Sequence, residues 1–183
     1  RVRFKKNANN NNPDIEYMIF DKNKYDMNNF LKFLGSFISD GWVDEGNKHR
    51  RIAISMSKLR KKTFIENTLN QLNINYNMIS DRVLIGNNYK EVVDYFKKLS
   101  VGASNKYLPN FVWNLSQKQS IILLESLIQG DGHIDKNGCY SYSTSSIILA
   151  NDIQKLALHC GWSGTIKLYK GREAGIVSII KDI

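Results

Sequence analysis

Phe30-Leu-Lys-Phe-Leu-Gly-Ser-Phe-Ile-Ser-Asp-Gly41 lies over Ile121-Ile-Leu-Leu-Glu-Ser-Leu-Ile-Gln-Gly-Asp-Gly132 at a constant offset of 91 residues. Gly35 falls on Ser126, Ser39 on Gly130, Asp40 on Asp131 and Gly41 on Gly132. The register continues through Val43 on Ile134 and Asp44 on Asp135. Self-similarity at a fixed offset marks a duplicated structural unit.

Working outward, Ile54-Ser-Met-Ser57 corresponds to Ser143-Thr-Ser-Ser146, with a second hairpin shorter by two residues. Helical patterns follow at 58–72 and 147–161, then strands at 74–79 and 83–85 in the first half and at 165–169 and 176–180 in the second. A further helix, at 89–99, closes the first half. The fold class expected is α+β: two pseudo-symmetric αββαββ(α) repeats of antiparallel sheets, paired through their first helices. Residues 1–27 form a lead-in, 28–112 the first repeat with its linker, and 113–183 the second repeat.

Each repeat opens on an apolar helix ending in Asp-Gly, where the Gly can take the left-handed conformation that stops a helix. Small residues four apart, Gly35 with Ser39 and Ser126 with Gly130, share one helix face. Two such faces allow close backbone approach, and Asp40 and Asp131 then converge at one end of the seam. Two carboxylates there repel one another, each at the negative end of a helix dipole. A divalent cation removes both penalties. Mg²⁺ or Mn²⁺ suits such oxygen donors, with the carbonyls of Ser39 and Gly130 as further ligands and open positions for water and phosphate. Metal beside a phosphodiester activates water and stabilises the leaving oxygen.

The net charge of +9 points to a polyanionic partner, most simply nucleic acid. Basic residues cluster at 48–51 and 58–62; a cluster alone reads as a solvated face. Apolar stretches such as 121–124 are too short to span a membrane. Cys139 and Cys160, the two cysteines, make neither a disulfide framework nor a metal quartet and read as ordinary intracellular thiols.

The two segments resemble the dodecapeptide motifs of the LAGLIDADG homing endonucleases, especially the single-chain, intein-encoded kind, over about 28–183. The resemblance implies a site-specific hydrolase cutting both strands of duplex DNA at a long recognition site, monomeric with internal pseudo-twofold symmetry, its two sheets forming a saddle over DNA. It implies that Asp40 and Asp131 bind metal. Asn105-Lys106-Tyr-Leu-Pro-Asn110 resembles the segment before the second motif in intein endonucleases, which makes Lys106 a catalytic-centre lysine that polarises phosphate or organises water. Tyr142-Ser-Thr-Ser-Ser-Ile-Ile-Leu-Ala150 is also intein-like. Departures are Glu125 where the first half has Leu34, and Gln129 in place of Ile38.

The strands after each motif helix would then face the groove, which admits two-stranded ribbons. Alternation puts Arg51, Ala53, Ser55 and Ser57 on one face and Ile52, Ile54 and Met56 on the other. In the second half Tyr140, Tyr142 and Thr144 alternate with Ser141, Ser143 and Ser145; alternation leaves the facing set open, and Tyr140, Tyr142 and Thr144 are the candidates for DNA contact. Lys48, Arg50, Arg51, Lys167, Lys170 and Arg172 are candidates for phosphate or base contacts.

Residues 2–4 and 15–20 could pair across the Asn run at 7–12, either as a DNA-contacting hairpin or as the edge of a host splicing domain. A sequence starting with Arg1 and ending with Ile183 lacks the terminal residues of self-splicing, so the endonuclease is expected to be embedded in, or excised from, a host protein. Lys106 lies 66 residues after Asp40, so its symmetry mate falls near 195–197, past Ile183; Lys167 and Lys170 come too early for that role. The expectation is a longer natural protein carrying a second basic residue and a helix matching 89–99. Two alternatives stay open: a non-catalytic nucleic-acid-binding relative, such as a maturase or transcription regulator, and a basic α/β interaction module.

Overall fold

The computed structural model describes residues 12–46, 49–136, 138–168 and 175–180. A hairpin of β1 (Tyr17–Phe20) and β2 (Asn23–Asp26) precedes the first repeat. That repeat runs α1 (Met27–Asp40), β3 (Gly41–Gly46), β4 (His49–Ser55), α2 (Leu59–Gln71), β5 (Asn77–Ile79), β6 (Arg82–Ile85) and α3 (Lys90–Leu99). The second runs α4 (Gln117–Asp131), β7 (Gly132–Ile134), β8 (Tyr140–Thr144), α5 (Ile147–His159), β9 (Ser163–Leu168) and β10 (Gly175–Ile180). The expected order of elements is therefore observed.

The sheets repeat one topology, β3-β4-β6-β5 and β7-β8-β10-β9, antiparallel throughout. The ladders correct the register between the halves. Gly41 opposes Ile54, whereas Gly132 opposes Tyr142, and α2 and α5 start at Leu59 and Ile147, 88 apart. The second hairpin is thus shorter by three residues, not two: aligning the serines by residue type displaces the register by one.

Side-chain caps fix where three helices begin. Asp26, Ser116 and Ser146 accept from the N–H groups of Asn29, Gln119 and Leu149, satisfying donors that a first helical turn leaves free. The lead-in hairpin turns at Asp21 and Lys22, both at positive φ, as a two-residue turn of right-handed twist requires. Its strand Tyr17–Phe20 pairs with Asn23–Asp26; the expected pairing with residues 2–4 falls outside the described residues. Phe20, Tyr25 and Met27 are buried in the core, and Ile15 exchanges two hydrogen bonds with the side-chain amide of Gln119. The lead-in so touches both halves.

At the centre α1 packs along α4. A Cβ built on Gly35 would stand 2.5 Å from the Cβ of Ser126, and one on Gly130 would stand 2.3 Å from the Cβ of Ser39. These are the small residues predicted to line the seam, and each is paired with its counterpart across it. Gly41 and Gly132, by contrast, are not left-handed. Both are extended, at φ −99° and −95°. They are glycines because a Cβ would lie 2.4 Å from the Phe37 ring in one helix and 2.5 Å from Ile128 Cα in the other. The chain leaves each helix straight into a strand, folded back against the last helical turn.

Seam contact this tight sets a prediction. Gly35→Ala should destabilise the protein by about 1–3 kcal/mol, the range for overpacking, and the added change Ser126→Gly should recover most of that loss. Denaturant unfolding of the single and double variants measures both; a Gly35→Ala protein as stable as wild type would place the seam elsewhere.

Candidate active site at the end of the helix seam

Asp40 and Asp131 are the last residues of α1 and α4. Since the helices run side by side and both strands β3 and β7 start at the next residue, the two acids stand at one end of the seam with a sheet spreading from each. One ammonium group spans them: Lys61 Nζ lies 2.6 Å from Asp40 Oδ2 and 3.8 Å from Asp131 Oδ1. The Lys61 side chain is only 12% exposed, so the pairing is shielded from solvent.

Lys106 reaches the same place from the linker between the halves, donating to the Ser39 carbonyl at 2.5 Å. The linker is fastened on the second half. Ser146 Oγ donates to the Lys106 carbonyl, and the Leu108 N–H donates to Asp152. Burial holds the Lys106 ammonium below the usual lysine range, against the pull of Asp131 and Asp40. Burial, then the Asp40 charge, pushes the Asp131 carboxyl up, against the pull of the two lysines. A raised acid and a lowered lysine both mean that burial disfavours the charged forms here relative to solvent, a property concentrated at functional sites.

Beneath the acids, Ser39 Oγ is 3.3 Å from the Tyr142 hydroxyl and donates to the Leu127 carbonyl at 3.4 Å. Tyr142 is buried, 1% exposed, and burial raises its hydroxyl pKa beyond the ordinary tyrosine range. Its proposed contact with DNA is therefore corrected. Tyr142 faces the helices and ties β8 to α1. Ladder partners share a face, so the buried Val177 and Ile179, opposite Tyr142 and Tyr140, place Tyr140 and Thr144 on that side too. Tyr140 stacks on Trp162 there. The open face of the second sheet instead carries Ser141, Ser143, His133, Thr165, Lys167 and Ser178.

On the first sheet Arg51 and Ser55 take the open face, as alternation predicts, with Arg51 bonded to Asp44 at 2.9 Å. Ser57 is exposed just past β4. Ala53 shares the open face but is buried there, between its ladder neighbours Trp42 and Leu84. Arg50 is a second correction: it points to the other face and pairs with Glu45 and with Asp94 of α3, both at 2.7 Å. Lys48, Lys170 and Arg172 lie outside the described residues.

Sequence reasoning missed Lys61 and Arg82. Arg82 opposes Ser55 on the open face and covers Trp42 at 5.5 Å from its ring centroid; it is the first residue of β6, one before the start at 83 that the pattern predicts. Lys61 carried a readable signal. Arg60, Lys61 and Lys62 stand in the first turn of α2, which holds no acid. Cations there oppose the helix dipole, so a basic helix start is a local cost that points to an outside partner.

A family model described as a LAGLIDADG-like domain matches residues 118–181. The homing endonuclease I-DmoI, solved in complex with DNA and Mn, superposes with a TM-score of 0.60 at 14% identity, covering 84% of this chain and 90% of that one. The chain has the LAGLIDADG fold. The family model spans the second repeat, and residues 27–99 repeat its sheet topology. The N-terminal LAGLIDADG domain of DUF199/WhiA also superposes, with a TM-score of 0.55 at 12% identity over 85% of this chain and 75% of that one. An ATP-dependent Clp protease proteolytic subunit of Chlamydomonas moewusii is 34% identical over 154 residues, 78% of this chain but 15% of that protein. A DNA-directed RNA polymerase subunit beta C-terminal section of Stigeoclonium helveticum is 26% identical over 198 residues, 84% of this chain and 18% of that protein. The chain thus spans under a fifth of the length of either relative.

The Ser39–Tyr142 contact joins the two repeats directly below the acids. Tyr142→Phe should cost about 0.5–1.5 kcal/mol, the net value of one hydrogen bond. In a cycle with Ser39→Ala the two losses should not add; additive losses in thermal unfolding would mean that the hydroxyls do not interact.

Proposed function

We propose that this LAGLIDADG protein is a metal-dependent, site-specific endonuclease that cuts both strands of duplex DNA. The observation that carries the reading is the meeting of Asp40 and Asp131 at the end of a two-helix seam, with two lysines against them and an open-faced sheet on either side. Similarity to an endonuclease solved on DNA with Mn supports it.

The donor set fits a hard divalent cation. Among the described residues no group of three or more His, Cys, Asp or Glu side chains gathers. Asp40 and Asp131, helped by the carbonyls of Ser39 and Gly130, would be its protein ligands, and Mg²⁺ or Mn²⁺ tolerates so few carboxylates when phosphate and water complete the shell. When bound, the cation supplies charge at the leaving oxygen and lowers the pKa of its water. Lys106, fixed by its bond to the Ser39 carbonyl, is the group that would meet a scissile phosphate or hold the attacking water. The open-face residues Arg51, Ser55, Arg82, His133, Ser141, Ser143, Thr165 and Lys167 would line the DNA, the basic ones on phosphate and the short polar ones at base edges.

The relatives support embedding in a host. A protease subunit and an RNA polymerase subunit are unrelated in name, yet each resembles this chain over less than a fifth of its length. An inserted, intein-like segment accounts for that pattern. The likeness to a LAGLIDADG domain whose name states no nuclease activity allows one further reading, a nucleic-acid-binding protein that does not cut.

The acids separate the two. Asp40→Asn and Asp131→Asn should each lower Mg²⁺-dependent double-strand cleavage of DNA carrying the uninterrupted host-gene junction at least 100-fold, while binding stays within a few-fold. Cleavage by both variants at the wild-type rate defeats the metal assignment, and a wild-type protein that binds but never cuts selects the non-catalytic reading. The +9 charge predicts in addition that log K falls with log salt by about 0.9 for each phosphate neutralised; a flat dependence in filter binding excludes a DNA interface.

A further inference from the structure

Lys61 does something that a phosphate-binding lysine need not do: it is already paired, and with both acids. Its ammonium is 2.6 Å from Asp40 and 3.8 Å from Asp131, at 12% exposure of the side chain. It comes from α2, outside the seam, and shares a small cleft with Asp40, Ser36, Gln129 and Gly130. The second repeat has no counterpart. At the offset of 88 set by the two helix starts, its equivalent is Leu149, which is fully buried. Among the described residues Lys61 is therefore the lysine in ion-pair contact with both acids, while Lys106 acts on them from its place on the Ser39 carbonyl.

We infer that Lys61 is the internal counter-ion of the metal-free centre, and that a divalent cation must displace it to bind. The inference rests on the metal reading of Asp40 and Asp131 given above. Two carboxylates at helix C-termini, with no cation between them, carry uncompensated repulsion. The Lys61 ammonium supplies the missing charge, so the site folds intact before metal arrives. The same pairing lowers metal affinity, because ammonium and cation compete for the same oxygens. Binding and displacement are then one equilibrium, and the coupling is reciprocal. A flexible four-carbon stem lets the ammonium leave, and its cleft is also lined by Ser55 of the open face, where the phosphate of a bound duplex would be the next anion. Metal and DNA would thereby favour one another: metal frees the lysine, and phosphate receives it.

The test uses the whole chain without DNA, so that it does not depend on cleavage. Mn²⁺ is titrated into wild type and Lys61→Met by calorimetry, and melting is followed in EDTA. Lys61→Met should bind Mn²⁺ roughly tenfold more tightly, about 1.4 kcal/mol. It should also melt lower than wild type in EDTA and gain more on adding Mn²⁺. Should Lys61→Met fail to fold in EDTA, the double variant Lys61→Met/Asp131→Asn, with one acid left, should fold and melt near wild type. Equal or weaker Mn²⁺ binding by Lys61→Met overturns the counter-ion role, and so does a double variant no better folded than the single. If neither wild type nor Lys61→Met takes up Mn²⁺, the inference falls together with the metal site. Tighter binding by Lys61→Met in a protein that cuts no DNA would uphold the inference and sink only the nuclease reading.

Discussion

Two helix backbones meet at Gly35 against Ser126 and at Ser39 against Gly130, and the other features of the molecule depend on how closely they meet. No larger pair fits, since even a methyl at either glycine would come within 2.5 Å of its neighbour's Cβ. Hydrophobic burial alone does not demand this, because α1 could bury Phe30, Phe33 and Phe37 against many surfaces. What close approach adds is position. It puts the ends of α1 and α4 side by side, and the sheets, which start one residue later, inherit their placement from it.

The cost of that arrangement is electrostatic. An acid at a helix C-terminus loses about 0.3–1 kcal/mol to the dipole, and a base at an N-terminus loses a similar amount. This chain does both: Asp40 and Asp131 end their helices, and Lys61 stands in the first turn of α2. Each placement is unfavourable in isolation, yet the fold brings the three together, so every unfavourable end finds an opposite charge. Burial then sharpens the effect, lifting the Asp131 carboxyl and depressing the Lys106 ammonium. Sequences break local rules chiefly where function or strain compensates, and here three breaches point at one spot.

That convergence explains what could be read from the chain beforehand. The duplication at offset 91 exposed α1, α4 and both acids, since a repeat is a property of sequence alone. Element order followed from periodicity. Facing was harder. Alternation named two faces of β8 but not which one was buried, and the answer lay in β10, whose Val177 and Ile179 sit opposite Tyr142 and Tyr140. Arg50 escaped for a related reason, because its acidic partner Asp94 lies 44 residues away on α3. The glycines after the acids were identified as special but for the wrong reason: helix-stopping handedness is a local property, whereas their actual constraint, contact with Phe37 and Ile128, emerges only when the strand folds back. Lys61 sits in a basic run whose composition alone suggests only a solvated face; its place in the first turn of α2, against the helix dipole, is the signal that it has a partner elsewhere.

The two repeats are alike in backbone and unlike around the acids. Where the first half contributes Ser39 to the seam, the second contributes Gly130, and the hydroxyl of Ser39 is met by Tyr142, whose own counterpart in the first sheet is Ile54. Where the first half sends Lys61 to the acids, the second places Leu149 in its core. A duplicated unit starts symmetric, and any residue near its axis is constrained twice, because each side must fit the other. Asymmetry can therefore enter at the axis only as matched pairs, a side chain on one strand of the repeat and space for it on the other. Ser39 with Gly130 and Gly35 with Ser126 are such pairs, one oriented each way. Away from the axis the constraint relaxes, and Lys61 and Leu149 diverge without a matching change. The result is that Asp40 and Asp131 share one centre but not one environment: Asp40 holds the short bond to Lys61, while Asp131, the more exposed of the two, takes the longer one. A phosphate approaching from the Asp131 side would thus meet the less neutralised acid, so backbone symmetry at this centre does not extend to its chemistry.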